Sequence, residues 1–421
     1  MNILLIGGGG REHAIVKKLR ENPSIEEIWA LPGNAGFAGE AEVTGISAED
    51  LDAVLSFAKN HPVDYAVVAP DDPLVMGMVD RLEEIGIPCF GPCQKAAMIE
   101  GSKAFSKDLM KKYHIPTAAY EVFTDLKKAL DYVDTCPIPV VIKASGLAKG
   151  KGVSICEDRE GARAALRAMM GEGKFGKSGE TVVIEEFLEG PEVSVLSFTD
   201  GKTLVPMVSS MDHKRAFDGD RGPNTGGMGA VAPNPYYTKE VADLCMEKIF
   251  LPTIRAMAQE GRPFKGCLYF GLMLTQDGPK VIEYNCRFGD PEAQVVLPLL
   301  QSDLFTIMKA VTEEKLDQVQ VSFSNARACC VVMASKGYPL SYEKGFPISF
   351  PEKLGSKIFF AGAFENEGKL VTNGGRVLGV TETAPTLMDA IDRAYEDVDQ
   401  IYFDNAFFRK DIGQRALKAR R

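Results

Sequence analysis

Apolar residues in the first hundred positions come in short runs separated by stretches of helical spacing. Ile3-Leu4-Leu5-Ile6 predicts a strand; glycines follow, then REHAIVKKLREN, where Ala14, Ile15 and Leu19 share one helical face. Further strands are predicted at Ile25 to Leu31, Tyr65 to Ala69 and Ile87 to Phe90, with helices over about 48–60 and 74–86 between them. Short apolar strands alternating with helices predict a parallel, doubly wound sheet, with its ligand crevice at the carboxyl ends of the strands. Gly7 to Gly10, Pro32-Gly33-Asn34 and Pro70-Asp71-Asp72 fall at those ends.

From about Gly101 the rhythm changes. Helices are predicted over 102–113 and 125–134, then strands at 140–144, 152–156, 181–187, 192–198 and 203–208, and a strongly alternating one at 280–285. After about residue 325 a third section begins: ARACCVVMAS, KIFFAG, KLVTNGGRVLGVT and a helix near 386–399. The resulting division is 1–100, 101–325 and 326–421, α/β followed by α+β, without an internal repeat.

Composition narrows the function. Among 421 residues, 48 Lys and Arg stand against 58 Asp and Glu, a net charge of −10, which argues against nucleic acid as a partner. No apolar run reaches the roughly 18 residues of a membrane span, and MNILLIGGGG reads as a first strand rather than a secretory leader. Nine cysteines without a CxxC or cysteine–histidine cluster fit neither a disulfide framework nor a zinc site, so a reducing, cytoplasmic setting is expected. His13, His61, His114 and His213 stand at no diagnostic spacing from a nucleophile or second ligand.

Two glycine-rich motifs mislead. With Gly7 and Gly9 as the first glycines of a dinucleotide fingerprint, the third position is Glu12, and the second strand lacks a terminal acid for a ribose. Gly171 to Ser178 (GEGKFGKS) fits GxxxxGK[ST] but follows a helical run and precedes a strand, so the helix that would cradle phosphate is missing. GLAKGKG, Gly146 to Gly152, is the better phosphate loop: Gly146, Gly150 and Gly152 free the backbone, and Lys149 and Lys151 add charge. Lys143, among apolar strand residues, calls for an anionic partner. VIEEFLEG (183–190) and Glu192 can serve an adenine edge and ribose hydroxyls, or form an exposed strand edge. Glu283 and Asn285, at i and i+2, share a strand face and offer oxygen to Mg²⁺. RFGDPE (287–292) follows at once. MDHKR (211–215) precedes the irregular GPNTGGMGA (222–230), and Asn373-Gly374-Gly375-Arg376 between apolar runs predicts a hairpin turn.

In order, GGREH (9–13), PGNAG (32–36), EGSKAF (100–105), VIKASGLAKGKGV (141–153), VIEEFLEG, DHKR, GPNTGGMGA, RFGDPEAQ (287–294) and TNGGRVLGV (372–380) closely resemble the phosphoribosylamine–glycine ligase family of ATP-grasp enzymes. RFGDPEAQ is the most specific segment. The resemblance implies an N-terminal doubly wound domain, a central ATP-grasp domain of two lobes, with about 121–190 as the moving one, and a small C-terminal α+β domain. It implies ligation of glycine to 5-phospho-D-ribosylamine through glycyl phosphate, using ATP and Mg²⁺ or Mn²⁺, in purine biosynthesis. By position, Lys103, Lys143, Gly146, Lys149, Gly150, Lys151, Gly152, Glu185, Glu186, Leu188 and Glu192 would hold the nucleotide. Glu283 and Asn285 would be metal ligands. Arg287, Asp290, Asp212 and His213 would face the reacting groups. Gly9, Gly10, Asn34, Asp71, Gly375 and Arg376 would hold the ribosylamine and its phosphate. Asp71 stands where the family usually has glutamate, Ser145 replaces an aspartate, and Tyr269 to Met273 lacks the acid many ATP-grasp enzymes carry there.

The chain is read as a monomer or weak dimer. Another ATP-grasp carboxylate–amine ligase or carboxylase would share the nucleotide site, but RFGDPEAQ and NGGRV favour ribosylamine. Glu283, Asn285, Arg287 and the lid lysines oppose a non-catalytic nucleotide-binding protein.

Overall fold

In the computed structural model, which describes residues 1–148, 152–351 and 353–419, the N-terminal strands form a fully parallel sheet. They are Asn2–Gly7, Glu27–Pro32, Glu42–Val43, Tyr65–Val68 and Cys89–Phe90, ordered in space third, second, first, fourth, fifth. Alternation along the first strand splits its side chains between two cores. Ile3 and Leu5 pack with Ala14, Ile15, Leu19, Leu304 and Ile307. Leu4 and Ile6 pack with Val54, Leu55, Leu74, Val79 and Leu82. Each buried aliphatic of this kind contributes about 1.5–3 kcal/mol, so both faces are sealed and the carboxyl ends stay available. The strand order reverses beside Asn2–Gly7, which brings the Gly7 to Gly10 turn and the start of helix Asp71–Met76 to one crevice.

The helix expected over 74–86 is two helices, Asp71–Met76 and Met78–Glu84. Gly77, at φ 91°, caps the first in a left-handed conformation that L side chains rarely adopt.

Two antiparallel four-stranded sheets follow. The first runs Tyr120–Phe123, Val182–Glu186, Val140–Ala144, Val153–Cys156; helices Leu126–Val133 and Arg159–Leu166 bury Ala129, Val133, Ala162 and Leu166 against Val140, Ile142 and Ile184. The second runs Leu204–Pro206, Glu192–Asp200, Lys265–Thr275, Gly278–Asn285. GEGKFGKS lies between helical residues and strand Val182–Glu186, so no α-helix follows it as a phosphate loop requires.

A last sheet runs Met211–Asp212, Gly229–Ala232, Arg327–Ser335, Arg376–Ala384, Lys357–Phe360, with Ala406–Phe407 paired to Arg327–Ser335. Residues from 211–232 thus share a sheet with residues beyond 327, a pairing the sequence division near 325 does not anticipate. The hairpin expected at Asn373–Arg376 is absent. Lys369–Thr372 pairs with Ala363–Asn366, whereas Arg376–Ala384 pairs with Arg327–Ser335 and Lys357–Phe360. No described helix is long and apolar enough to cross a membrane.

Candidate active site

The glycine turn after the first strand is filled from within. Glu12 accepts a hydrogen bond from the Gly9 N–H through Oε2 (2.7 Å), and a Cβ on Gly7 would stand 2.5 Å from Glu12 Cγ. The carboxylate occupies the turn a dinucleotide phosphate would need, which explains why the fingerprint fails. Arg11 donates from Nε to Glu12 Oε1 (2.7 Å) and from one terminal nitrogen to the Phe288 carbonyl (3.1 Å), joining the first helix to RFGDPE.

Asp290 reaches the same helix start. A Cβ on Gly9 would lie 3.5 Å from Asp290 Oδ2, and one on Gly10 3.7 Å from Oδ1. Asp290 Oδ1 accepts from Gln294 (2.7 Å) and Oδ2 pairs with Arg376 (3.2 Å). Arg376 also donates to the carbonyls of Asp290 and Gly226, both at 2.8 Å. Burial works to raise the Asp290 pKa, but Arg376 and Arg11 hold it below the ordinary range. Gly9, Gly10, Asp290 and Arg376 are therefore neighbours, although they lie up to 367 positions apart in the chain.

Arg287 lies beside them. It pairs with Glu100 (2.9 Å) and approaches Asp71 (3.9 Å). Glu100 also takes the Cys286 N–H (2.7 Å); burial raises its pKa against the pull of Arg287. Burial would raise Asp71 too, yet Arg287 and Arg11 keep it low. Arg287 Nε is buried without a hydrogen-bond partner, a donor left for something outside the chain.

Lysines surround Glu283, the one acid of strand Gly278–Asn285. Lys214 Nζ stands 3.5 Å from Glu192 and 3.6 Å from Glu283. Burial raises the Glu283 pKa, but Lys214, Lys143, Lys103 and Arg287 outweigh it and keep the carboxyl ionised. Lys103, in helix Lys103–Lys112, donates to the Gly146 carbonyl (3.2 Å); its pKa is lowered by burial and raised in part by Glu283. Lys143 donates to the Ile282 carbonyl (3.0 Å), so the two four-stranded sheets meet there. Ser145 accepts the Ala104 N–H (3.2 Å) and fixes this loop to the helix start. The Gly146 N–H donates to the Ser178 carbonyl (3.1 Å) and the Gly152 carbonyl accepts from Ala144 (2.8 Å). Lys149, Gly150 and Lys151 lie outside the described residues.

Several of the expected site residues are engaged within the chain itself. Glu185 is buried rather than turned to a ribose: Oε2 lies 3.0 Å from both Lys107 and Lys143. Glu186 is exposed and accepts the Ala119 N–H (3.0 Å); Leu188 is half-buried. His213 is fully buried, with Nδ1 against the Gly229 carbonyl (3.2 Å) and Nε2 accepting the Gly413 N–H (3.1 Å). Burial pushes its pKa down to about 4. It is a neutral tie between strand Gly229–Ala232 and the start of helix Gln414–Lys418, with both ring nitrogens taken by backbone. Asn34 gives both side-chain amide hydrogens to the carbonyls of Gly8 (2.8 Å) and Phe360 (3.0 Å), so its side chain has no donor left for a substrate. Gly375 makes room for the Tyr338 ring, 2.1 Å from where a Cβ would be. Asp212 Oδ1 is buried without a hydrogen-bond partner, and burial together with Glu292 raises its pKa well above the ordinary range.

Lys107, Lys214 and Glu292 are not among the expected site residues, although Lys214 lies within MDHKR and Glu292 within RFGDPE. Lys107 lies one helical turn after Lys103, and Lys214 alternates with Asp212 on an extended segment; both spacings carried the signal. Glu292 accepts from Tyr269 (3.1 Å) and Ser194 (3.3 Å), beside the strand that lacks an acid of its own.

A parallel domain and two antiparallel four-stranded sheets that meet where Lys143 reaches the Ile282 carbonyl, next to Glu283, have the architecture of an ATP-grasp enzyme. The phosphoribosylglycinamide synthetase N, ATP-grasp (A) and C domains match residues 1–100, 101–293 and 328–415. The phosphoribosylamine–glycine ligase of Clostridium acetobutylicum is 48% identical over 414 residues, covering 98% of this chain and all of that protein. The crystal structure of phosphoribosylamine–glycine ligase from Thermotoga maritima superposes with a TM-score of 0.87 at 35% identity, covering 98% of this chain and 100% of the other. The biotin carboxylase domain of Hydrogenobacter thermophilus 2-oxoglutarate carboxylase shares the fold at 17% identity, with a TM-score of 0.75 over 96% of this chain and 91% of that one. The chain belongs to the phosphoribosylglycinamide synthetase family and is an ATP-dependent ligase of purine biosynthesis.

Proposed function

We propose that the chain joins glycine to 5-phospho-D-ribosylamine through glycyl phosphate, with ATP converted to ADP and phosphate. The glycine carboxylate attacks the γ-phosphorus and ADP leaves. The ribosylamine nitrogen then attacks the carbonyl carbon, loses a proton, and expels phosphate carrying one carboxylate oxygen. No protein nucleophile is needed, so catalysis rests on orientation, charge stabilisation and exclusion of water from the acyl phosphate.

Support comes from the convergence of Arg287, Lys214, Glu283, Asp290 and Arg376 on one region, with an unpartnered Arg287 Nε among them. Lys103 and Lys143 would neutralise ATP phosphates, with Gly146 and Gly152 in the loop above them. Glu186, Leu188 and Glu192 would line the adenosine side. Arg287 would stabilise the developing phosphoryl charge. Arg376, held by Asp290, would take the ribosylamine phosphate at the Gly9 and Gly10 helix start, with Asp71 near the ribose.

Among the described residues, no group of three or more His, Cys, Asp or Glu could hold a metal unaided. Glu283, kept ionised by its lysines, and Asn285 on the same strand face still fit a cation that takes most of its oxygen ligands from phosphates and water. Bound there, Mg²⁺ or Mn²⁺ would neutralise the β- and γ-phosphates. The test is glycine labelled with ¹⁸O in its carboxylate: one label should appear in each phosphate released, and unlabelled phosphate would rule out glycyl phosphate.

A further inference from the structure

The segment Arg409 to Arg415 has no part in the scheme above, yet it fastens the loop that carries Lys214. Arg409 is 1% exposed. It donates to both Asp411 oxygens (2.7 and 2.8 Å), to Asp220 Oδ1 (2.9 Å) and to the Arg215 carbonyl (3.1 Å). Around it, Asp411 accepts the Gly219 N–H (2.9 Å), the Lys410 N–H donates to Asp218 (2.8 Å), Arg415 pairs with Asp220 (3.1 Å), and the Gly413 N–H reaches His213 (3.1 Å).

The loop needs such support. Its own hairpin, Arg215–Phe217 with Arg221–Asn224, is short and irregular, and a lone two-stranded hairpin is marginal in water. Its two ends carry the chemistry. Lys214 enters between Glu192 and Glu283 at 3.5 and 3.6 Å, distances too long to lock the side chain. The Thr225 N–H and hydroxyl both hold the Lys214 carbonyl (2.8 Å), and Gly226 receives Arg376 (2.8 Å). Two carboxylates and a carbonyl offset the burial of one rigid guanidinium, which fixes the hairpin's direction.

We propose that Arg409 to Arg415 is a positioning clamp that aims Lys214 and Gly226 at the reacting groups, with Arg409 as its central positioning residue. The kinetic readout rests on the ligase reading; the exchange readout does not.

The experiment compares full-length wild type with Arg409→Met, Arg409→Lys and Asp220→Asn. Arg409→Met should lower kcat by about tenfold or more with KM for ATP within about threefold, because Lys103 and Lys143 lie outside the loop. Arg409→Lys should recover part of the loss. Amide hydrogen exchange should quicken across 212–228 and stay unchanged across 140–144 and 182–186. Asp220 sits at φ 54°, which asparagine tolerates, so Asp220→Asn removes the charge without new strain and answers the question if Arg409→Met does not fold. A folded variant with kcat within about twofold of wild type, or kcat and ATP affinity falling together, would overturn the clamp. If wild type itself does not ligate, the ligase reading fails, and localised or unchanged exchange still decides for or against the clamp.

Discussion

Glu185→Gln removes the negative charge from between two buried ammonium groups. Glu185 Oε2 stands 3.0 Å from Nζ of Lys107 and of Lys143, and the three side chains are 4%, 2% and 4% exposed. The amide keeps the shape and an acceptor but no charge, and breaking a buried ion pair from one side costs about 3–5 kcal/mol. The structure also sets a ceiling. Burial already pushes the Lys107 ammonium from 10.5 down to about 8, with Glu185 only partly restoring it. That fall corresponds to roughly 3 kcal/mol of destabilisation at neutral pH. Without Glu185 the amine releases its proton more readily still, which limits the loss. Because the folded pKa lies below the unfolded one, the Lys107 penalty is full below the folded pKa and is relieved as pH rises toward 10.5. In the variant that relief begins at lower pH. The deficit against wild type should therefore shrink as pH approaches about 8 and then level off. Hydrogen-exchange protection in Val140–Ala144 and Val182–Glu186, corrected for intrinsic rates, reads this directly. The expected loss is about 3 kcal/mol near pH 7 and less near pH 8.5. A loss under about 1 kcal/mol, or one independent of pH, would show that Glu185 does not hold the two ammonium groups as a buried ion pair.

Lys214→Met should reduce kcat/KM for ATP by about tenfold or more while moving the unfolding midpoint little, since the lysine is partly exposed; kinetics within about twofold of wild type would remove it from the site. Arg287→Ala should abolish ligation while ATP binding, followed by calorimetry, stays within a few fold; wild-type turnover would refute its role. His213, pushed from 6.5 to about 4, contributes stability that is full above 6.5 and falls by roughly 3 kcal/mol as pH drops to about 4. Its imidazole C2 proton should titrate near that lower value by NMR, and a midpoint near 6.5 would contradict the buried tie.

What the sequence disclosed was local. Ile3-Leu4-Leu5-Ile6 and VVIKA are strands because a short apolar run suits burial on both faces, and KVIEYN because its alternation suits burial on one. KLVTNGGRVLGVT failed because two apolar runs around glycines look the same whether they pair together or with distant strands, and here both partners are elsewhere. The same limit applies to the site. RFGDPE and Glu283 were legible as dense polar chemistry beside apolar residues. Whether His213 and Asn34 face a ligand or the backbone depends on Gly413 and Phe360, far along the chain. Lys107 looked like an ordinary helix lysine until Glu185, on a strand, was brought against it.

The measurement that bears most directly on the central claim is ADP release from Mg²⁺-ATP, in the complete mixture and with glycine or ribosylamine left out. Ribosylamine can be generated in place from ribose 5-phosphate and ammonia. ADP release that requires both substrates, with one glycinamide ribonucleotide formed per ADP, is the expected result. ADP without that product, or no ADP from a demonstrably folded protein, would contradict it.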